Sequence, residues 1–333
     1  LAALAPILGV AFGHSGTTLL GLSATLLIGT PTLSLIGGLA AGAAVCVGYG
    51  VLCEANAFRV RRVRVPVLPT GAPKIRVLHL SDIHLARGQR KKLAFVSRLA
   101  ALEPDLVIST GDNIAHGDAL EPLLAVLRPL LEVPGAFVFG SNDYVEARMS
   151  NPLAYLARST SHDGVREELT PLPTEALRAG LASGGWADVT ALRATLHVRG
   201  VQLEFRGTDD AHLHRDDYSL VAGPAASGTD LSIGVTHAPY LRVLDGMAAD
   251  EVPLVFAGHT HGGQVCVPGW GALTTNCDLP PAMAKGLHEY VGRDGGRSWL
   301  HVSAGIGSSP YAPYRFACPP EVTLLTLTPV PNG

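Results

Sequence analysis

Short apolar runs, separated by amphipathic segments of helical length, dominate the chain after residue 73. Residues 75–80, 106–110 and 136–139 have the length and composition of buried strands. Between them, residues 89–102 and 118–131 carry apolar side chains at helical spacing. This alternation predicts parallel strands joined by right-handed helical crossovers, which is the organisation of an α/β sheet.

The second half of the chain repeats the strand pattern after a less regular stretch. Residues 151–187 are rich in Ser, Thr, Gly and Pro without a clean period, and we interpret them as a surface excursion that forms part of a lid or substrate wall. A helix is predicted at residues 240–248. Further strands are predicted at residues 195–198, 202–207, 231–235, 254–257, 287–291, 299–303 and 322–327.

The N-terminal segment has a different pattern, because no Asp, Glu, Lys or Arg precedes Glu54. Residues 33–52 form a continuous charge-free run, and about 20 such residues cross a bilayer core. Residues 6–29 are apolar but interrupted by polar side chains, and residues 29–32 are expected to form a turn between two spans. A core helix of this length seldom lacks a polar face, and a signal peptide has a basic start. We therefore predict a membrane anchor of one or two transmembrane helices over residues 1–54.

A basic and Pro-rich stretch at residues 55–73 is interpreted as a linker to a catalytic domain at residues 74–333. It contains four arginines between positions 59 and 64. By the positive-inside rule these arginines favour a cytoplasmic catalytic domain, and the same charges would also suit anionic headgroups. The five cysteines are scattered, which predicts no disulfide framework and is compatible with a reducing compartment.

The overall charge is nearly balanced, with a formal net charge of −3 and a pI near 6.5. This balance gives no reason to expect nucleic acid as a partner. The mean hydropathy is positive, +0.27, and the excess of apolar residues is concentrated in the N-terminal segment. The membrane is therefore the macromolecular partner that the composition favours.

Polar side chains follow five of the predicted strands at the point where each strand ends. In α/β sheets, ligands bind at the edge where the carboxyl ends of the strands meet. Neighbouring glycines allow the backbone to turn sharply and to approach a bound group closely. The side chains concerned are Asp82, His84, Asp112, Ser141, Asn142, His237, His259 and His261.

This set combines carboxylate, imidazole and amide groups without a thiolate, which suits Mn, Fe or Zn. The number of ligands is too large for one metal and right for two divalent ions that share a carboxylate. Asp112 follows the central strand of the set and is the natural bridge. Two metals about 3.5–4 Å apart can hold a hydroxide between them as nucleophile and clamp an in-line displacement at phosphorus.

The ordered motifs resemble those of the calcineurin-like dinuclear metallophosphoesterase family over residues 74–327. Residues 258–264 and 303–307 resemble its bacterial membrane-associated branch, which includes phosphodiesterases often compared with UDP-diacylglucosamine pyrophosphatases. The resemblance implies a four-layer α/β/β/α sandwich with the metals at the sheet ends. It assigns one metal to Asp82, His84, Asp112 and His261. It assigns the other metal to Asp112, the amide of the third motif, His237 and His259.

The third motif departs from the family pattern of Gly-Asn-His followed by an acidic residue. Ser141 stands at the Asn position and Asn142 at the His position. We favour Asn142 as the metal ligand, because an amide oxygen is the better donor to a hard cation. In the alternative, Ser141 coordinates weakly and Asn142 hydrogen-bonds the substrate. Both versions remove the imidazole that protonates or stabilises the leaving group in the family.

Loss of a general acid typically costs about 10²–10⁴-fold in rate when the leaving group needs a proton. We therefore hypothesise a leaving group of low pKa, such as a phosphoanhydride or an aryl-like ester. Otherwise another histidine replaces the acid, and the candidates are His116, His212 and His214.

Together these inferences predict a membrane-anchored hydrolase that acts on a phosphodiester or phosphoanhydride, either a small molecule or a lipid-linked substrate. The alternatives are a general phosphomonoesterase, a cyclic-nucleotide phosphodiesterase, or a non-catalytic membrane protein that keeps its metal ligands for structure or sensing. Asp143 is expected to orient the third motif by hydrogen bonding rather than to bind metal. The residues predicted to take part in catalysis are Asp112, Asn142 and His259, and those predicted at the substrate are Ser141, His116 and Asp143.

Overall fold

The computed structural model describes residues 18–147, 170–309 and 311–331. The chain divides into two units, Leu1–Val47 and Gly48–Gly333. Helix α1 covers Thr18–Leu52 without a break, so the turn predicted at residues 29–32 is wrong. The proline in this stretch removes a backbone donor, but the apolar sequence on both sides continues the helix.

One stretch among the described residues, Gly37–Asn56, is long and apolar enough to cross a membrane. It overlaps the span predicted at residues 33–52. The other predicted span, residues 6–29, lies partly outside the described residues.

Two six-stranded sheets form the body of the second unit, with strand orders β1-β14-β2-β3-β4-β5 and β12-β13-β9-β8-β7-β6. Strands β10 and β11 pair with each other in a separate ribbon. The strands are β1 (Arg59–Leu68), β2 (Ile75–Leu80), β3 (Leu106–Ser109), β4 (Gly135–Phe137), β5 (Trp186–Asp188), β6 (Arg193–Val198), β7 (Val201–Gly207), β8 (Leu231–Val235), β9 (Leu254–Ala257), β10 (Cys266–Val267), β11 (Gly271–Ala272), β12 (Gly286–Val291), β13 (Arg297–Val302) and β14 (Glu321–Pro329).

The parallel pairing predicted from the alternating pattern is confirmed for β2, β3 and β4. In the second sheet β7, β8 and β9 are also parallel, and β6 and β7, both predicted as strands, form an antiparallel hairpin. The helices that connect or cover these strands are α2 (Arg90–Val96), α3 (Leu120–Leu131), α4 (Ser141–Tyr144), α5 (Thr174–Ala182) and α6 (Leu241–Ala249).

Strand β9 shows why the layers form, since all four of its residues are buried. Leu254 and Phe256 point into the core between the two sheets, where they join Val77 and Ile108 of the first sheet. The alternate residues of β9 belong to the core between the second sheet and α6. A third core lies between the first sheet and helices α2, α3 and α5. Strands covered on both faces give the predicted order of layers, α/β/β/α.

The stretch interpreted as a linker contains an edge strand, which corrects the prediction for Arg59–Leu68. Strand β1 pairs in parallel with β14, and Val65 and Leu68 are buried. Pro66 is tolerated because an edge strand does not need every backbone donor. The arginines obscured the strand in the sequence, yet they lie at its exposed positions, and Arg61 pairs with Glu321 at 2.9 Å.

The irregular stretch at residues 151–187 is only partly described, and its first part, together with any lid, lies outside the described residues. Its last part is not a surface excursion. Helix α5 buries Leu177 and Leu181, which are spaced to lie on one face. Strand β5 extends the first sheet, with Trp186 buried at its start. The predicted helix at residues 89–102 is shorter than expected, because α2 ends at Val96 and a 3₁₀ turn follows.

Candidate metal centre

Five strand ends from both sheets deliver polar side chains to one place, as the sequence predicted. Nitrogen and oxygen atoms of Asp82, His84 and His261 all lie within 4.8 Å of one another, and so do those of Asp82, Asp112 and His237. Asp112 Oδ2 lies 3.3 Å from His84 Nε2 and 3.5 Å from His237 Nε2. The two carboxylates therefore lie between two groups of imidazoles, and Asp112 occupies the central position expected of a bridge.

The ligand candidates have an unusual backbone conformation. Asp82, His84, Asp112, His259 and His261 all have positive φ angles, between 42° and 68°. Non-glycine residues seldom adopt this conformation, and it costs of the order of 1–3 kcal/mol where the surroundings enforce it. The concentration of strained residues at the strand ends indicates a functional site rather than an ordinary set of turns.

Two glycines allow the ligands to approach one another. A Cβ atom on Gly140 would lie 2.3 Å from Asp112 Oδ1 and 2.6 Å from the ring of His237. A Cβ atom on Gly258 would lie 2.0 Å from Ser81 Oγ and 2.7 Å from Asp82 Oδ2. Any side chain at these positions would displace the ligands.

Hydrogen bonds fix which nitrogen of two imidazoles can act as a ligand. His237 Nδ1 lies 2.7 Å from the carbonyl oxygen of Thr110 and therefore donates to it. This leaves Nε2, 3.5 Å from Asp112 Oδ2, as the nitrogen that can bind a cation once its proton is lost. His259 Nε2 lies 3.2 Å from the carbonyl oxygen of Asn276, which leaves Nδ1 as its ligand atom. Such contacts set the tautomer and orientation of metal-binding histidines.

The buried nitrogens fit a bound cation. His84 Nδ1 and Nε2, His237 Nε2 and His261 Nδ1 are buried without a hydrogen-bond partner among the described residues. An unsatisfied buried polar atom typically costs about 1–3 kcal/mol. Cations placed between these nitrogens and the two carboxylates would remove that cost, so the residues present fit a pair of divalent ions.

Burial also sets the protonation of the imidazoles. It lowers the pKa of His84 to about 4 and holds the pKa values of His259 and His261 well below their ordinary value. Burial alone would lower the pKa of His237 as well, but Asp112 and Asp82 hold it well above its usual range. Three neutral rings are therefore ready to donate a lone pair, whereas a cation at His237 must displace a proton.

The carboxylates are shifted in opposite directions. Burial raises the pKa of Asp82 to about 6, although His237 opposes this effect. Burial would also raise the pKa of Asp112, but His237 and His84 outweigh it and hold the pKa well below its usual value. Asp112 is thus the carboxylate that stays charged, as a bridge between two cations requires.

The altered third motif brings Asn142 to the bridging carboxylate. The backbone N–H of Asn142 donates to Asp112 Oδ1 at 2.7 Å, and its side-chain amide contacts Asp112 Oδ2 at 2.8 Å. Ser141 is buried at the first residue of α4. These contacts support Asn142 as the residue of this motif that faces the centre, and its ligation stays a prediction.

Asp143 is held by backbone groups of the second and third motifs, and its contact with a substrate stays a prediction. Its carboxylate is fully buried and accepts backbone N–H bonds from Asp112 and Asn113 at 2.8 Å and from Gly140 at 3.0 Å. It therefore orients the second and third motifs, the hydrogen-bonding role that was also expected of it.

The structure separates the three histidines proposed as a replacement acid. The ring of His212 lies 4.6 Å from the ring of His259, and its Nδ1 lies 3.1 Å from Tyr240 Oη. His116 is half-buried and lies 3.3 Å from Glu146. His214 is exposed. His212 is therefore the one of these three that the fold places against His259, a candidate ligand.

A buried chain of hydrogen bonds leads to Asp82 and was not predicted from the sequence. His301 and His79 are joined at 2.9 Å through their Nδ1 atoms, and His79 Nε2 lies 3.0 Å from Thr110 Oγ1. Thr110 donates to Ser81 Oγ at 2.7 Å, and Ser81 donates to Asp82 at 2.5 Å. The chain crosses between the sheets and orients Asp82.

Carboxylates and imidazoles clustered at the strand ends of a two-sheet sandwich form a site that suits metal-dependent hydrolysis. The protein belongs to the calcineurin-like phosphoesterase family, whose family model matches residues 75–263. The family uses dinuclear metal centres, and the chain is accordingly a hydrolase of phosphoester bonds.

Three relatives show the range of this family. Phosphodiesterase YaeI of Escherichia coli is 27% identical, over 84% of this chain and 92% of its own length. UDP-2,3-diacylglucosamine pyrophosphatase LpxG of Chlamydia muridarum is 25% identical, over 82% of this chain and 90% of its own. A transmembrane protein with metallophosphoesterase domain from Bos taurus is 27% identical, over 85% of this chain and 60% of its own.

Proposed function

We propose that the protein is anchored in a membrane and hydrolyses a phosphodiester or phosphoanhydride with two divalent cations, either Mn, Fe or Zn. The observation that carries the proposal is the convergence of Asp82 and Asp112 with buried, unpaired nitrogens of three histidines. When bound there, the cations supply Lewis acidity and lower the pKa of water, which gives a nucleophile at neutral pH.

The chain's own residues provide the fixed charge and the orientation of the site. Asp112 holds a constant negative charge at the centre, and the N–H and amide of Asn142 fix its two oxygens. His237 presents Nε2 because Thr110 binds its other nitrogen. Preorganised groups of this kind need no rearrangement during the reaction.

The proton for the leaving group is assigned to His212. Its ring lies 4.6 Å from the ring of His259, and its Nδ1 lies 3.1 Å from Tyr240 Oη, so the fold holds this imidazole beside the candidate metal centre. Asp210 is buried and accepts backbone N–H bonds from His212 and Leu213, which holds this loop in place. With a leaving group of low pKa, this proton is not required.

A lipid-linked substrate agrees with the apolar helix and with the printed name of the chlamydial relative, which acts on UDP-2,3-diacylglucosamine. We assign the domain to the cytoplasmic face, because four exposed arginines follow the candidate span within β1. A reporter that fluoresces only in the cytoplasm, fused to the C-terminus, would stay dark if this assignment were wrong.

The test uses the full chain in nanodiscs, loaded with Mn²⁺. Bis-nitrophenyl phosphate, nitrophenyl phosphate and a nucleotide-sugar anhydride are offered in parallel, beside an Asp112→Asn variant. We expect Mn²⁺-dependent turnover of the diester and the anhydride, and its loss in the variant. Two bound metals without turnover of any of the three would contradict the proposal, and faster hydrolysis of the monoester would favour a phosphomonoesterase.

A further inference from the structure

A hairpin directly after the metal-binding histidines exposes an unusual amount of apolar surface. We call residues 265–273, which include β10 and β11, the apolar hairpin. Exposed contiguous apolar surface marks sites of interaction with proteins or membranes. The exposed side chains of the hairpin are Val265 (38%), Val267 (43%), Trp270 (82%) and Leu273 (51%).

The tip of the apolar hairpin is a defined turn. The N–H of Trp270 donates to the carbonyl oxygen of Val267 at 3.0 Å, and Gly269 has a φ angle of 79°. Pro268 and Gly269 occupy the two central positions, where a type II turn favours these residues. The turn therefore places Trp270, whose side chain is exposed, at the end of the hairpin.

The chemistry of the surrounding sequence suits a bilayer rather than water. No Asp, Glu, Lys or Arg occurs between Glu251 and Asp278. Tryptophan is enriched where a protein crosses the interface between lipid and water, because its ring is apolar and its N–H can meet the headgroups. An uncharged loop with an exposed indole is a surface that can enter this region.

The apolar hairpin is continuous with the end of the candidate membrane span. Val265 forms a β-bridge with Phe316, and the N–H of Cys266 donates to the carbonyl oxygen of Phe316 at 2.8 Å. The ring of Phe316 packs edge-on against Tyr49 with centroids 6.3 Å apart. Tyr49 belongs to the candidate span and is itself exposed. Tyr49 contacts Phe316, and Phe316 pairs with the hairpin. A bilayer that surrounds Tyr49 therefore also reaches the hairpin.

Positive charge lies near the same helix end. A cavity of about 470 Å³ is lined by Val51 and Phe58 and by the exposed Arg90 and Lys91. Basic side chains beside apolar ones suit the headgroup region of an anionic membrane.

The hairpin is also coupled to the metal centre. Cys266 Sγ contacts the carbonyl oxygen of Gly262 at 3.2 Å, and Gly263 packs so closely on Ala272 that a Cβ atom would lie 2.3 Å away. His261 precedes these glycines. The position of the hairpin in the bilayer therefore fixes the height of the metal centre above it.

We propose that the apolar hairpin lies in the interfacial layer of the bilayer and holds the metal centre where a phosphoester carried on a lipid can reach it. This proposal rests on the proposed function for its substrate but not for the contact itself. The partner is the lipid surface, and a protein partner is one outcome of the test.

The contact is measured by fluorescence of the full chain in nanodiscs. The chain has three tryptophans, and Trp186 is buried. The difference between wild type and Trp270→Phe isolates the signal of Trp270. We expect lipids brominated near the glycerol to remove most of this signal and aqueous iodide to have little effect. Strong quenching by iodide would overturn the proposal, as would a signal protected from both quenchers, which would identify a protein contact.

The effect of the membrane contact on activity is measured as turnover of two substrates in the same nanodiscs. One is a phosphodiester with two acyl chains, and the other is soluble bis-nitrophenyl phosphate. Trp270→Asp should lower turnover of the lipid substrate severalfold and leave the soluble substrate unchanged. Leu220→Asp, which alters another exposed apolar side chain, should change neither. Equal loss on both substrates, or none on the lipid substrate, would overturn the proposal. A wild-type protein inactive on both would contradict the proposed function, and the fluorescence result would still decide the contact.

Discussion

The two sheets contribute differently to the metal centre. Loops of the first sheet are joined through their backbones, because Asp82 donates to the carbonyl oxygen of Gly111 and His84 to that of Asp112, both at 2.9 Å. Imidazoles of the second sheet are held through contacts with other segments, such as His237 with Thr110. The first sheet thus supplies both carboxylates and His84, whereas the second sheet supplies only imidazoles.

The largest expected effect is a difference in bound metal between a variant of the first sheet and a variant of the second sheet. Asp112→Asn removes the central carboxylate and should lower bound Mn²⁺ from about two ions per chain to less than one. His237→Asn removes one ring of the second sheet and should leave about one ion. Mass spectrometry of the metals bound to each purified variant measures the number of ions per chain, with the exposed Asp118→Asn as control. Equal losses in the two variants would contradict the difference between the sheets.

A change at His212 tests whether the second sheet also supplies the proton. His212→Asn should lower turnover by about 10²–10⁴-fold when the leaving group is an alkoxide, and should have little effect with nitrophenolate. The exposed His214→Asn is the matched control. Equal losses for both leaving groups would show that His212 has a structural role instead.

Gly140 lies between Asp112 of the first sheet and His237 of the second sheet. Gly140→Ala would bring a Cβ atom against both Asp112 and His237, and should weaken metal binding by about 10–100-fold, as displacement of orienting groups does. Gly117→Ala meets only an ordinary contact with Pro173 at 3.4 Å and serves as control. Calorimetric titration with Mn²⁺ measures the affinity. An unchanged affinity would mean that metal binding does not depend on the close approach of Asp112 and His237.

The smallest expected effect concerns the buried pair that joins the sheets. Burial lowers the pKa of His301 to about 3, so below pH 6.5 the unfolded chain binds a proton that the folded protein does not. The free energy of unfolding therefore does not depend on this imidazole's protonation well above pH 6.5, and it declines as the pH falls from 6.5 towards 3. His301→Asn should reduce this decline by about 1 kcal/mol per pH unit between pH 6 and 5.

Urea unfolding at several pH values measures this slope, with the exposed His197→Asn as control. Equal slopes for wild type and His301→Asn would contradict the burial of a neutral imidazole. The comparison of slopes is insensitive to a uniform loss of stability in the variant.

The convergence of the candidate ligands could be predicted because each of them follows a strand whose apolar run is visible in the sequence. The β1 strand was missed because its exposed arginines and Pro66 hide an edge strand. His79 and His301 could not be paired, since β2 and β13 lie far apart in the chain and meet only across the two sheets. The role of Asp143 as a brace depends on backbone donors from two loops, which no spacing in the sequence specifies.

The most direct test of the central claim is anomalous diffraction from crystals of the Mn²⁺-loaded protein. Two peaks about 3.5–4 Å apart are expected, with Asp112 between them, His84 and His261 beside one, and His237 and His259 beside the other. A single peak, or a pair of peaks away from Asp112, would contradict a centre of two cations bridged by this carboxylate.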